Sequence, residues 1–235
     1  MKIMVINANT SESFTDHIRV ELERVKRPDT ELTVLSPERG PETIESAYDE
    51  AMAVPPILDL VKKANREKYD AVIIGCFSDP GLEAAKEIST IPVIGIEEST
   101  IHMAAMLGAR FSVFTPKKER IPSKRAHIHM RGLDYYLASV RSLGLSVAET
   151  DGDPERTKAR VLAEAKKAAE EDGAEVIILG CTGMAGYSSE IESRLNVKVL
   201  DPTAVALKIA EAMVDLGLVH SKRGLFAIPP EKSFK

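Results

Sequence analysis

The chain has 235 residues, 44 % hydrophobic and 29 % charged, which suits a soluble globular protein of one large or two small domains. Its 31 basic and 36 acidic residues leave a net charge of −5, so the composition calls for no nucleic-acid partner. No apolar run approaches the roughly 20 residues of a membrane span, no secretory segment is recognisable and only 2 cysteines occur, so a reducing, cytoplasmic setting is expected.

Residues 2–6 (Lys-Ile-Met-Val-Ile) read as a short buried parallel strand, followed at once by the polar loop Asn7-Ala8-Asn9-Thr10-Ser11. Phe14, Ile18, Leu22 and Val25 recur at helical spacing. They predict a helix over 13–27, with Ser13 and Asp16 as a capping pair and Pro28 as its stop. A second strand covers 31–35. Residues 43–52 have a helical pattern that Pro55-Pro56 interrupts, and another helix covers 57–67. A third strand ends at Cys76, a short helix over 82–88 follows Asp79-Pro80-Gly81, and 92–96 is a fourth strand. This alternation is that of a parallel sheet with helical crossovers.

The pattern then restarts. A helix covers 98–107, and a strand over 110–114 ends in Thr115-Pro116. Residues 118–143 are helical in pattern, 145–149 alternate as a strand, and 154–171 form an alanine-, lysine- and glutamate-rich helix. Strands over 176–179 and 197–200 follow, then an amphipathic helix over 203–216 that Gly217 caps. Residues 228–235 read as a loose tail. The basic run from Lys117 through Lys124 to Arg131 reads as a solvated face.

Cys76 and Cys181 lie 105 positions apart. At that offset Ala-Val-Ile-Ile-Gly-Cys (71–76) falls on Val-Ile-Ile-Leu-Gly-Cys (176–181), and Gly81 falls on Gly186. The two cysteines are therefore equivalent members of a duplicated unit. The fold class that follows is α/β, two pseudo-symmetric parallel-sheet domains facing each other across a cleft.

Ligands of open parallel sheets bind outside the carboxyl ends of the strands. Asn7 to Ser11, Cys76 to Asp79, Thr115 and Cys181-Thr182-Gly183-Met184 fall at those ends. Each cysteine precedes a turn and a helix start, where backbone N–H groups would draw a thiol pKa down towards neutrality. Two thiols across a pocket suit inversion of a stereocentre: one removes a proton from carbon and the other delivers one from the opposite face. With each sulfur about 3–3.5 Å from the reacting carbon, the two would stand about 7 Å apart. Backbone donors around Ser78, Thr182 and Gly183 would hold the carbonyl oxygen that gains charge.

At these residues the chain resembles the hydantoin racemase branch of the aspartate/glutamate/hydantoin racemase superfamily. The resemblance is carried, in order, by Ile6-Asn-Ala-Asn-Thr-Ser11, Gly40-Pro41-Glu-Thr-Ile-Glu-Ser46 with Tyr48-Asp-Glu-Ala51, Cys76-Phe-Ser-Asp-Pro-Gly81, Phe111-Ser-Val-Phe-Thr115 and Leu179-Gly-Cys181-Thr-Gly-Met184. It implies cofactor-independent, metal-free, two-base racemisation of 5-monosubstituted hydantoins, with Cys76 and Cys181 as the catalytic pair. Asn9, Thr10, Ser78, Thr115, Thr182 and Gly183 are the implied substrate contacts, and Phe77, as an apolar wall, and Tyr48 are added to them from their positions in the sequence. It also implies a homo-oligomer, and a last helix that returns to the first domain, giving domains over 1–97 plus 203–235 and over 98–202. Ala8, Pro116 and Thr182 depart from the group's usual residues. Allantoin and the acidic amino acids therefore stay open as substrates, as does a cleft protein that binds a metabolite without reacting.

Simpler roles compete at several positions. Asn9 and Thr10 can tie up a tight turn, Asp79 can cap the helix behind Pro80, and Met184 and Phe77 can pack beneath the loops. His102, His127 and His129 read as surface histidines, because residues two apart on a helix face different ways. Tyr48 and Asp49 reach the cleft only if their segment folds over it.

Overall fold

A computed structural model of the chain describes residues 1–184 and 186–232. Among the described residues, eight short strands build two four-stranded parallel sheets. The first holds β1 (Lys2–Ile6), β2 (Glu31–Leu35), β3 (Ala71–Ile74) and β4 (Val93–Gly95), in the order β2-β1-β3-β4. The second holds β5 (Phe111–Thr115), β6 (Leu137–Ser142), β7 (Val176–Leu179) and β8 (Lys198–Leu200), in the equivalent order β6-β5-β7-β8. In register, β3 pairs with β1 (Ile6 with Ile74) and β7 with β5 (Phe114 with Leu179). The duplication seen around the cysteines thus extends to the topology.

The helices are α1 (Glu12–Val25), α2 (Ala47–Arg66), α3 (Leu82–Ile88), α4 (Ile96–Leu107), α5 (Ile121–Met130), α6 (Val147–Gly152), α7 (Pro154–Glu170), α8 (Ser188–Leu195) and α9 (Pro202–Asp215). Strand residues alternate between two apolar layers, as the pleat demands. Ile3, Val5 and Ile73 share one layer with Phe111, Val113 and Ile178 of the other sheet, filled by Ile101 and Ala104 of α4 and by Ala206, Leu207 and Ala210 of α9. Met4, Ile6 and Ile74 face the opposite way, onto Ala53, Ile57 and Val61 of α2. Phe114, Ile177 and Leu179 do the same in the second sheet, onto Val161 and Ala165 of α7. Helix α9 packs on α1, α4, β3 and β4. Gly217, at φ 62, ends it in the left-handed turn expected of a helix-terminating glycine. No helix among the described residues is long and apolar enough to cross a membrane.

Four local expectations need correction. Residues 145–149 are not a strand: Ser146 and Glu149 close a reciprocal capping box that starts α6, and this local bonding wins over the alternation of Leu145 and Val147. The edge strand lies earlier, at β6, inside the stretch read as helical. Its two central residues are buried and its ends are half-covered, so it lacks the continuous apolar run that marks an inner strand. Pro55 and Pro56 do not break α2. Pro55 is exposed, which leaves the carbonyl it cannot bond open to water, while Pro56 is buried beside Ala53 and Ile57. A capping box of Ser46 and Asp49 starts that helix. Finally, Ser13 does not cap α1: Ser11 is its N-cap, and the Ser13 hydroxyl donates instead to Asp151 of α6 at 2.9 Å. The tail read as loose lies partly outside the described residues, at 233–235. Upstream of it the chain is pinned, with Val93 N–H donating to His220 Nε2 at 2.8 Å and Lys222 Nζ donating to the Glu87 carbonyl at 3.0 Å.

Candidate active site

β3 and β7 both end in Gly-Cys. At each end a carbonyl from the end of the neighbouring strand, Ile6 of β1 or Phe114 of β5, crowds the glycine. A Cβ on Gly75 would stand 3.1 Å from the Ile6 oxygen, and one on Gly180 would stand 2.2 Å from the Phe114 oxygen. The close approach lets each strand stop abruptly and present the following cysteine at its edge. Gly180→Ala is expected to destabilise the fold by roughly 1–3 kcal/mol through overpacking, and to lower activity by displacing Cys181. Urea denaturation of that variant beside the wild type checks the first effect. After each cysteine the chain turns tightly, with Asp79 N–H on the Cys76 carbonyl at 2.9 Å and Met184 N–H on the Cys181 carbonyl at 3.0 Å.

Cys76 and Cys181 line one cavity of about 60 Å³, room for roughly four or five water molecules. Asn9, Phe77, Ser78, Thr115 and Thr182 line it with them. Asn9 is held by its Oδ1, which accepts from the Ser11 N–H and from Asn7 Nδ2, both at 2.9 Å. The Ser78 hydroxyl lies 3.4 Å from Cys76 Sγ, and the Thr150 hydroxyl lies 3.9 Å from Cys181 Sγ.

The thiols do not sit in the field expected for a helix start. Burial pushes Cys76 up to about 11, against the opposing pull of the Ser78 hydrogen bond and the Lys124 charge. Burial raises Cys181 too, opposed by the Gly183 N–H, the Thr150 hydroxyl and again Lys124. Desolvation of the buried sulfur outweighs the dipole of one short turn.

Three expected contacts lie elsewhere. Tyr48 is 73 % exposed on the outer face of α2, and it is the neighbouring Glu45 and Glu50 that line the cavity. Asp49 is occupied by the capping box. Thr10 turns away and donates to the Pro41 carbonyl at 3.4 Å. Gly183 is buried and does not line the cavity. The Ser78 N–H is occupied by the Cys76 carbonyl at 2.8 Å. The side chains of Ser78, Thr115 and Thr182 belong to residues that do line it. Met184 packs in the second core rather than on the cavity. Asp79 caps α4, not the helix that follows it in sequence, by accepting from Glu97 N–H at 2.9 Å and Glu98 N–H at 2.7 Å.

The basic run does not form a solvated face. Lys117, Arg120 and Lys124 all reach the cavity, Lys117 paired with Glu45 and Arg120 with Glu50. On α5, Lys124, His127 and Arg131 share one face, and they meet Glu97 and Asp79 across the interface between the two halves. Their spacing of three and four residues is the signal that a reading of charge alone overlooks. His127 is therefore no free surface histidine: its Nδ1 lies 2.9 Å from Glu97 Oε2. His129 pairs at the surface with Asp134, and His102 with the Glu98 carbonyl. Among the described residues, no three His, Cys, Asp or Glu side chains converge as a metal site would require.

The chain is 38 % identical over 234 residues to a hydantoin racemase of Pseudomonas sp. (strain NS671), covering 100 % of this chain and 94 % of that one. Two solved structures are similar throughout. Allantoin racemase from Klebsiella pneumoniae matches with a TM-score of 0.96 at 35 % identity, over 100 % of this chain and 96 % of that one. Allantoin racemase from Pseudomonas fluorescens matches with a TM-score of 0.95 at 36 % identity, over 100 % of both chains. The sequence profile of the Asp/Glu/Hydantoin racemase family matches residues 3–210. The chain belongs to the Asp/Glu/Hydantoin racemase family and is an isomerase acting at a carbon stereocentre.

Proposed function

We propose that the protein inverts C5 of hydantoin-ring substrates by moving protons between that carbon and two thiols. The observation that carries this reading is the placement of Cys76 and Cys181 in one cavity at the ends of equivalent strands. A thiolate on one face takes the C5 proton and becomes a thiol. The C–H electron pair moves into the adjacent ring carbonyl as an enolate. The opposite thiol then protonates C5 from the other face and is left as the thiolate. Charge and protons balance, and a proton exchanged with water resets the pair. The hydroxyls of Ser78, Thr115 and Thr182, residues that line the cavity, are the donors this scheme assigns to the enolate oxygen.

The two charged pairs in the lining, Lys117 with Glu45 and Arg120 with Glu50, favour a substrate whose C5 substituent is compact and polar. Glu45, Glu50, Lys117 and Arg120 line the cavity together with the apolar Ile44, Phe77, Pro116 and Val147. The Arg120–Glu50 pair, 14 % and 18 % exposed, offers N–H donors beside a carboxylate acceptor. A ureido group has the matching carbonyl and amide hydrogens, and the two structural relatives at 35–36 % identity are named for allantoin, which carries such a group. The test is loss of circular dichroism from optically pure allantoin and 5-alkylhydantoins. Wild type is expected to prefer allantoin in kcat/KM. Arg120→Leu is expected to lower kcat/KM about 10-fold or more for allantoin but little for the alkyl substrates, because only the ureido arm loses a buried partner. Equal losses on both substrates contradict the polar reading and favour 5-alkylhydantoins.

A further inference from the structure

We propose that Lys124 is the positioning residue that ionises the two thiols: its ammonium group, carried into the cavity by α5, holds the negative charge that passes between Cys76 and Cys181. This rests on the two-thiol reading above. The Lys124 side chain is 5 % exposed, yet it lines the same cavity as both cysteines. Its Nζ donates to the Phe77 carbonyl, one residue after Cys76, and lies 3.4 Å from Glu97 Oε2. Phe77 and Glu97 belong to the first half of the chain, whereas Lys124 belongs to the second. The cation is therefore in place only when the two halves are docked as here.

Such a charge is needed because the cavity is otherwise hostile to a thiolate. Burial raises both thiols, and Glu50 and Asp79 raise Cys76 further while Asp151 raises Cys181. Lys117 and Arg120 also line the cavity, but each is paired with its own glutamate. The charge of Lys124 acts on both sulfurs in the opposite sense. Its partner Glu97 is shared with His127, whose Nδ1 bonds the same carboxylate oxygen, while Glu97 Oε1 has no partner. Arg131 sits behind, 3.8 Å from Asp79.

The test is the pH dependence of inactivation by iodoacetamide, measured beside kcat and KM for the wild type, Lys124→Met and Lys124→Arg. In Lys124→Met the midpoint of inactivation is expected to rise by about one pH unit or more, and kcat at neutral pH to fall about 10-fold or more with KM little changed. Lys124→Arg is expected to keep a midpoint close to that of the wild type. A folded Lys124→Met protein with wild-type midpoint and kcat profile overturns the proposal. Where Lys124→Met does not fold, Glu97→Gln serves, with the opposite sign: loss of the neighbouring negative charge lowers the midpoint, and an unchanged or raised midpoint overturns the proposal. Failure of the two-thiol reading shows separately, as racemisation that survives Cys76→Ala.

Discussion

Cys76→Ala and Cys181→Ala are each expected to lose racemisation by roughly 10²- to 10⁴-fold, the range by which one positioned acid or base accelerates proton transfer. The loss belongs in kcat, because neither thiol is needed to hold the ring in the ground state. Each single variant keeps one base, and because no opposite thiol intercepts the enolate, the abstracted proton has time to be lost to water, so the C5 proton of one enantiomer is still exchanged with solvent. The enantiomer exchanged by Cys76→Ala is expected to be the one that Cys181→Ala leaves untouched, since the sulfurs serve opposite faces. Circular dichroism follows the racemisation, and proton resonance in D₂O follows the exchange. Full activity in the double variant contradicts the scheme.

The second large effect concerns stability. Glu97→Ala is expected to cost about 3–5 kcal/mol, because it leaves a buried cation without its partner. Glu97 is fully buried, with Lys124 and His127 on its Oε2, so the truncation strands Lys124 in the interface between the halves. Burial pushes the Glu97 carboxyl up, but the charges of Lys124, His127 and Arg131 and the His127 hydrogen bond outweigh it and hold the group below the usual range. A carboxylate depressed in the folded state contributes stability above its ordinary pKa of 4.5, lost as the pH falls through the lower folded value. The gap between wild type and Glu97→Ala in urea midpoint should therefore be widest near neutrality and close in acid. A gap that widens towards acid contradicts this assignment.

The architecture was legible because inner parallel strands leave a simple record. Residues 3–6, 71–74 and 176–179 are continuous apolar runs, since both faces are covered by helices, and each ends where polar loop chemistry begins. The Gly-Cys pairs were legible for a steric reason, now visible as the carbonyls of Ile6 and Phe114 against Gly75 and Gly180. What escaped was decided by partners distant in sequence. β6 is an edge strand with mixed burial, α2 carries two prolines that packing accommodates, and Asp79 caps a helix 18 residues further on. At the site, the positions of the cysteines followed from the duplication, but their ionisation did not. A helix start suggested acidified thiols, whereas burial raises them and hands the task to Lys124, a residue that composition alone places on the surface. Tyr48 and Glu50 illustrate the same limit: they are two positions apart on α2, and the packing of that helix turns one outward and the other into the cavity.

Proton transfer by two thiols on opposite faces is tested most directly by the first turnovers of one optically pure enantiomer in D₂O. The thiol that protonates C5 draws its hydrogen from solvent, and the thiolate that removes one returns that same hydrogen when the step reverses. Deuterium is therefore predicted at C5 of the inverted product and not in the recovered starting enantiomer. Equal deuterium in both enantiomers from the outset, or inversion without deuterium uptake, would contradict the assignment of Cys76 and Cys181 as the proton-transfer pair.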